Sequence, residues 1–338
     1  MKHPITFAWI DDTPQREKLL SHLVDAASPG VTASAPIFVG LVKGKDQLAL
    51  TDFLGRRTEP SLVVIDQVLN KCDWELKIPL LGSSLAEIIR QKWPACPIVG
   101  ITAGQNIATE SQWYDFEKRS EFEELIEAQN FGAAIELIYA LALGFQLLRG
   151  TKPLTLKKII ALLKPPSGEH ERVATAIPDK MRSSSMDRSV PRLTSSWIRK
   201  RLMERPGFLY DREWTANLLG LSIKGFNKVE QLFVSAKYSG VFSEPSDPRW
   251  WTLALKETLF KTVKNAETNL TWIVGQKLPG LERSDYSVCY VCKELHPEIL
   301  GYVDTSSDGR RPMHIRCTIP DPRFQSLLYY DDMRVMKG

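Results

Sequence analysis

Apolar residues follow two rhythms over the first half of the chain. Ile5 to Ile10 is a short apolar run that ends in Asp11-Asp12, and Ile37 to Val42 is a second. Ser61 to Ile65 is a third, closed by Asp66, and Cys96 to Ile101 is a fourth, closed by Thr102. Continuous apolar runs of this length are the pattern of strands covered on both faces. Between them the spacing turns helical. Gln15 to Ala26 places Leu19, Leu20, Leu23 and Val24 on one face, and Ser84 to Trp93 and Glu121 to Leu148 also read as helices. Strands alternating with helices predict an α/β doubly wound parallel sheet with helices on both faces. Ligands of such sheets bind beyond the carboxyl ends of the strands, where Asp11, Asp12, Asp66 and Thr102 all fall.

The second half has a different texture. Lys152 to Leu163 reads as a short helix closed by Pro165-Pro166, and the chain from there to about Ser195 is rich in Pro, Ser and charge, which predicts a linker. A helix-rich stretch dense in aromatics follows from Trp197 to about Val274. Within it Thr215 to Leu219, the turn Gly220-Leu221-Ser222 and then Ile223 to Ala236, with Phe226, Val229 and Phe233 on one face, form a helix-turn-helix pattern. Val241 to Leu255, with its Glu-Pro-Ser-Asp-Pro turn, supplies a hairpin that would complete a winged helix. The expected domains are 1–148, a helix and linker over 149–195, a mainly helical, winged-helix-like basic domain over 196–280, and a small cysteine module over 281–338.

Charge sharpens this division. Residues 1–150 carry 14 basic and 19 acidic side chains, a balance of −5, whereas residues 151–240 carry 17 and 8, a balance of +9. An acidic head and a basic middle suit a polyanion or an acidic protein as partner, and a plainly solvated basic surface gives the same count. The longest apolar stretch, Phe131 to Leu148, is interrupted by Glu136 and Gln146 and falls short of the roughly 20 residues a membrane span needs. A buried or amphipathic helix is expected there, with no membrane partner. Met1-Lys2-His3-Pro4 leads into a strand without a signal-peptide pattern, so a cytoplasmic location is expected.

A carboxylate at a strand end can accept a phosphoryl group if other acids hold Mg²⁺ beside it and a cation meets the arriving charge. Asp66 is the candidate acceptor, Asp11 and Asp12 with Asp66 the candidate Mg²⁺ ligands, Thr102 a hydroxyl for a phosphate oxygen, and Lys118 the countercharge. This order resembles the receiver domain of bacterial response regulators over about 145 residues. That family has an acid pair after strand one, an acceptor Asp after strand three, Thr or Ser then Ala after strand four, and Lys after strand five. Here those positions hold Asp11-Asp12, Asp66, Thr102-Ala103 and Lys118. Pro79-Leu-Leu-Gly82 with Leu85, Ile88, Ile89 and Arg90, and Pro97 to Thr102, are also similar to the family. The chain departs from it in some eight extra residues between Asp66 and Gly82, in a short Thr102 to Lys118 spacing that implies a lost or shrunken fourth helix, and in the absence of Pro after Lys118. The resemblance implies a flavodoxin-like fold, phosphotransfer from a histidine kinase or other phosphodonor, and no enzymatic activity beyond self-phosphorylation. The bland alternative is a receiver fold that serves only as a docking surface.

Of the five cysteines, three cluster near the end. Cys289-x2-Cys292 and His314-x2-Cys317 form two knuckles whose three thiolates and one imidazole suit Zn²⁺. Gly301, Gly309, Pro312 and the polar run Asp304 to Asp308 predict a hairpin between them, and the whole resembles zinc-ribbon or treble-clef fingers in general. His296 is a rival ligand. Four filled positions make the ion structural, since a catalytic zinc keeps one position open.

On the second helix of the basic middle, Lys224, Asn227, Lys228 and Gln231 point outward, which suits groove or phosphate contact with DNA and equally a protein partner. Trp214, Phe226, Phe233, Trp250 and Trp251 read as core. Two functions therefore compete. One is a phospho-switched response regulator whose basic region meets DNA or protein. The other is a pseudo-receiver scaffold in a multi-protein bacterial stress or phage-defence (antiviral) assembly. An enzyme in the C-terminal half is disfavoured, because the sequence holds no Ser-His-Asp array, no Gly-rich phosphate loop and no open metal site.

Overall fold

The computed structural model describes residues 5–13, 15–25, 37–41, 46–66, 68–69, 80–94, 96–102, 116–119, 131–151, 153–182, 190–203, 207–244, 247–264, 266–295, 299–305, 309–314 and 317. The chain divides into two compact units. One comprises residues 1–155, 180–196 and 244–246, the other residues 156–179, 197–243 and 247–338.

The first unit is built on five parallel strands. They are β1 (Phe7–Asp11), β2 (Ile37–Gly40), β3 (Leu62–Asp66), β6 (Ile98–Thr102) and β7 (Phe116–Arg119), in the order β2-β1-β3-β6-β7. The chain runs from β1 outward to β2, then returns to the far side of β1 to lay down β3. The strand order thus reverses between β1 and β3, the crevice where doubly wound sheets hold ligands. Register sets the level of the crevice: Ile10 lies opposite Ile65, Asp66 opposite Ile101, and Ile101 opposite Lys118. β1 is buried along its whole length, as a strand covered on both faces requires.

Helices α1 (Gln15–Asp25), α2 (Asp46–Gly55) and α3 (Gly82–Lys92) flank the sheet. Leu50, Phe53, Leu85, Ile89 and Trp93 join Ile10, Val63, Ile65 and Ile98 in one core, with Phe53 and Trp93 edge to face at 5.1 Å. The helix α4 (Phe131–Gly150) contains the longest apolar stretch of the chain. By length and composition it qualifies as a membrane span, with a mean hydropathy of 1.4 over Gly132–Gly150, but 61% of that window is buried inside the protein. Leu137, Ile138 and Leu141 face Leu62, Val64, Val99 and Ile101 of the sheet, which explains the apolar run without a membrane. Of the extra residues after Asp66, an antiparallel pair, β4 (Val68–Leu69) with β5 (Leu80–Leu81), closes the base. Residues 70–79 lie outside the described residues.

Helices occupy much of the stretch that the sequence marks as linker. α5 (Leu156–Leu163), a turn at Ser167–Glu169, α6 (His170–Ala176) and α7 (Asp179–Arg182) precede α8 (Val190–Trp197), and α5 and α6 belong to the second unit. The physical reason is Glu169. Its carboxylate is fully buried, takes a hydrogen bond from Arg172 at 2.8 Å, and accepts the backbone N–H of Leu253 at 2.8 Å. Leu253 lies in the first turn of a helix, where an N–H has no partner within the helix and a negative charge is favoured. That bond spans 84 residues, so nothing local in the sequence announces it.

Two short helices joined by a glycine turn occupy the stretch that the sequence reads as helix-turn-helix. α9 (Arg212–Leu218) starts on Asp211, whose side chain accepts Trp214 N–H. The turn passes through Gly220 at φ +66, a left-handed conformation that favours glycine, and a Cβ there would lie 2.7 Å from the Trp272 carbonyl. Ser222 then caps α10 (Ile223–Val229) through Gly225 N–H, and a 3-10 run continues over Glu230–Ala236. Phe226, Val229 and Phe233 are buried as the spacing predicted. β8 (Leu209–Tyr210) pairs with β9 (Trp250–Trp251), and Trp250 also bridges Lys237 on its other side. The hairpin thus springs from Lys237-Tyr238 rather than Val241, and Thr252 onward is helix, α11 (Thr252–Thr262). Trp214, Trp250 and Trp251 are core residues, with Phe226 edge to face against Trp250 at 5.1 Å. A short helix, α12 (Thr271–Gly275), and the hairpin β10 (Ile299–Thr305) with β11 (Gly309–His314) complete the unit.

Candidate functional site

Two clusters of metal-ligating side chains stand out among the described residues: Asp11, Asp12 and Asp66, and Cys289, Cys292, His314 and Cys317. Both correspond to sets that the sequence alone singles out.

The acidic pocket lies at the switch point. One carboxylate oxygen from each of Asp11, Asp12 and Asp66 lies within 4.8 Å of the others. Asp11 and Asp12 are buried and Asp66 half-buried, so water does little to separate the charges. Like charges at that spacing repel by about 3 kcal/mol per pair at an effective dielectric constant near 20. Part of this is answered within the protein. Trp9 stands two residues before Asp11 and thus on the same side of β1, and its indole N–H donates to Asp11 Oδ2 at 3.1 Å. Thr13 N–H donates to Asp11 Oδ1 at 2.8 Å, and Arg16 Nε lies 3.6 Å from Oδ2. Thr13 Oγ1 donates to Asp12 Oδ1 at 3.3 Å. Neither Trp9 nor Arg16 was named from the sequence. The signal for Trp9 was its position two before an acid in a strand, and for Arg16 a cation in the first turn after the acid pair.

Three convergent carboxylates fit a hard dication such as Mg²⁺, which takes oxygen ligands at about 2.1 Å and commonly one or two carboxylates together with phosphate and water. The backbone of Thr102 ends β6, one position beyond the level of Asp66, and faces Arg119. The backbone of Lys118 lies within β7, level with Ile101, rather than after the strand as the resemblance implies. Residues 103–115, where the fourth helix was expected to be lost or shrunken, lie outside the described residues.

The thiolate cluster is assembled by two turns. Cys289 N–H donates to the Glu294 carbonyl and Lys293 N–H to the Cys289 carbonyl, closing a tight knuckle in which Lys293 adopts φ 61. Cys292 Sγ lies 3.2 Å from His314 Nδ1 and Cys317 Sγ 3.8 Å from it. A tetrahedral zinc with Zn–S near 2.3 Å and Zn–N near 2.0 Å spaces its ligand atoms about 3.5–3.8 Å apart, so the donor set and its spacing fit Zn²⁺. Burial first, then the neighbouring Cys289 and Cys292 side chains, push the Cys317 thiol up to about 11. At Cys289 burial also pushes upward but is outweighed by the N–H groups of Cys292, His314 and Val291, so its thiol falls below the ordinary 9.0. Crowded thiols of this kind ionise together only around a cation. His296 lies outside the described residues.

Lys224, Asn227 and Lys228 on α10, and Gln231 on the 3-10 run that follows it, are all exposed, as expected. Two of them also have partners within the chain. Asn227 Oδ1 accepts from Arg212, which pairs bidentately with Glu230, and Lys228 Nζ donates to Asp285 Oδ2 at 2.7 Å. Asp285 is fully buried, and its carbonyl accepts from both the backbone and the hydroxyl of Ser222. Gly225 permits that approach, since a Cβ there would stand 2.2 Å from the Asp285 oxygen. The turn leading into the first knuckle is therefore stapled to the side of α10.

No family model and no curated protein matches the chain. Among solved structures it is similar to the signal receiver domain of an HD domain-containing protein from Pseudomonas fluorescens Pf-5, at 15% identity over 38% of this chain and 93% of that one, with a TM-score of 0.25. It is similar to a response regulator from Burkholderia pseudomallei with a phosphorylated aspartic acid, a calcium ion and citrate, at 18% identity over 51% of this chain and 90% of that one, with a TM-score of 0.27. A response regulator receiver modulated diguanylate cyclase from Pelobacter carbinolicus matches at 14% identity over 37% of this chain and 89% of that one, with a TM-score of 0.23. The strand order and register carry the fold assignment independently of these likenesses.

Proposed function

We propose that the chain is a response-regulator-like signalling protein in which Asp66 accepts a phosphoryl group and the second unit carries the output. The observation that carries this reading is the convergence of Asp11, Asp12 and Asp66 at the switch point of a parallel sheet. In the reaction a carboxylate oxygen of Asp66 attacks the phosphorus of a phosphodonor. A new P–O bond forms, and the bond to the donor's leaving group breaks with its electron pair. The donor is a phosphohistidine of a kinase or a small acyl phosphate. Asp11, Asp12 and Asp66 would hold Mg²⁺, and the ion would neutralise charge on the transferring group. Thr102 and Lys118 retain the roles the resemblance gives them, phosphate hydroxyl and countercharge. Calorimetric titration of beryllofluoride with Mg²⁺ tests the site: one equivalent should bind wild-type protein and none should bind Asp66→Asn.

For the output we favour duplex DNA. The helix-turn-helix geometry, closed by a small β-sheet and bearing exposed Lys224 and Gln231, supports this reading. Zn²⁺ held by Cys289, Cys292, His314 and Cys317 would be a structural ion that orders the C-terminal part of the same unit.

The second reading, a pseudo-receiver scaffold without phosphotransfer, is favoured by one specific observation: Asp11 is already engaged by Trp9, Thr13 and Arg16. It predicts that neither Mg²⁺ nor beryllofluoride binds.

A further inference from the structure

We infer that Arg16 is a positioning residue of the acidic pocket: a resident cation that competes with Mg²⁺ for the carboxylates and assists the anion bound at Asp66. The inference rests on the phosphoacceptor reading of that pocket. Arg16 stands in the first turn of α1, immediately after the acid pair, with its side chain only 20% exposed. Its Nε lies 3.6 Å from Asp11 Oδ2, and an Asp11 oxygen lies within 4.8 Å of oxygens of both Asp12 and Asp66. Asp11 itself is 1% exposed; the Trp9 indole donates to the same oxygen that faces Arg16, Oδ2, and the Thr13 amide donates to the other, Oδ1. Arg16, from the first turn of α1, therefore borders the pocket through Asp11.

The pocket's charges give Arg16 opposite effects on the two ligands. Three carboxylates and one guanidinium leave a formal charge of −2, which one divalent cation cancels. A cation already seated on Asp11 must weaken the binding of a second cation to the same group. Transfer of a phosphoryl group replaces the single negative charge of Asp66 by roughly two, and three acceptor oxygens arrive with it. A planar guanidinium, always charged and carrying several donors, then gains a better partner than the committed carboxylate of Asp11. A residue with only a structural role would move both affinities together or neither.

The test is calorimetric, on full-length zinc-loaded protein, for wild type, Arg16→Met and Arg16→Lys, with thermal unfolding of each to confirm folding. Mg²⁺ is titrated alone, and beryllofluoride is titrated at saturating Mg²⁺. In Arg16→Met, Mg²⁺ should bind about 5-fold tighter and beryllofluoride about 10-fold weaker, the opposite signs expected for loss of one nearby positive charge. Arg16→Lys keeps the charge and should lie close to wild type on both axes. If wild type binds both ligands and Arg16→Met changes neither, or shifts both in one direction, the inference fails while the phosphoacceptor reading stands. If Mg²⁺ binds Arg16→Met but not wild type, the competition with Mg²⁺ holds, and the phosphoacceptor reading fails together with the anion role that rests on it. If neither protein binds Mg²⁺, both fail.

Discussion

Lys228 Nζ lies 2.7 Å from Asp285 Oδ2, which ties α10 to the turn that leads into the first cysteine knuckle. The hydrogen bond from Lys228 is the main cause holding the Asp285 carboxyl below its ordinary 3.8, with the Glu282 amide adding to it, and the same bond raises Lys228 above 10.5. A depressed carboxyl contributes stability that is complete above its unfolded value and lost as pH falls through the folded one. A raised ammonium contributes stability that is complete below 10.5 and lost as pH rises through the folded value. The pair should thus support the second unit between about pH 4 and pH 10. Asp285→Asn and Lys228→Met should each lower its unfolding temperature in that window. The difference from wild type should vanish at the acidic extreme, a result that thermal melts across pH check directly.

Lys224 and Lys228 should behave differently towards nucleic acid, although they share a helix face. Lys224→Ala should weaken binding to duplex DNA of any sequence and reduce the slope of log affinity against log salt by about 1, as loss of one phosphate contact requires. Lys228→Ala should act mainly by destabilising the unit, because its partner Asp285 is buried. Fluorescence anisotropy at several salt concentrations separates the two, and binding indifferent to salt would argue for a protein partner.

Metal analysis of protein purified under reducing conditions should find about one zinc per chain, held by four protein ligands. Cys292→Ala should lose the ion and loosen the cluster around it while the parallel-sheet unit retains its melting transition, because structural zinc binding is coupled to folding.

Trp9→Phe keeps most of the volume of a fully buried side chain on β1 and removes the indole donor to Asp11. Loss of a hydrogen bond to a buried carboxylate should destabilise the first unit by about 2 kcal/mol, measured by denaturant unfolding.

Much of this was legible from the sequence, for identifiable reasons. Apolar runs ending in Asp11-Asp12, Asp66 and Thr102 pointed to strands and to the level of the pocket, because both follow from local order along the chain. The same holds for Phe226, Val229 and Phe233 facing inward and for the hairpin between Cys292 and His314. What escaped depends on distant partners. The helices over 167–182 look like a linker until Glu169 meets Leu253. Asn227 and Lys228 were rightly placed on the surface, but Arg212 and Asp285, 15 and 57 residues away, engage them. The helix Asp46–Gly55 escapes because its apolar stripe is short, and the β4–β5 pair because each strand is two residues long. Lys118 was expected after a strand by analogy, and its backbone lies within one.

The central claim is that Asp66 is a phosphoryl acceptor, and intact-mass spectrometry after incubation with acetyl phosphate and Mg²⁺ tests it most directly. The wild-type protein should gain one phosphoryl group, lose it on treatment with hydroxylamine as an acyl phosphate does, and gain none when Mg²⁺ is chelated. Asp66→Asn should gain none, because an amide oxygen is not an acceptor nucleophile. Unchanged wild-type mass with the donor and Mg²⁺ in excess, or equal modification of Asp66→Asn, would contradict the account.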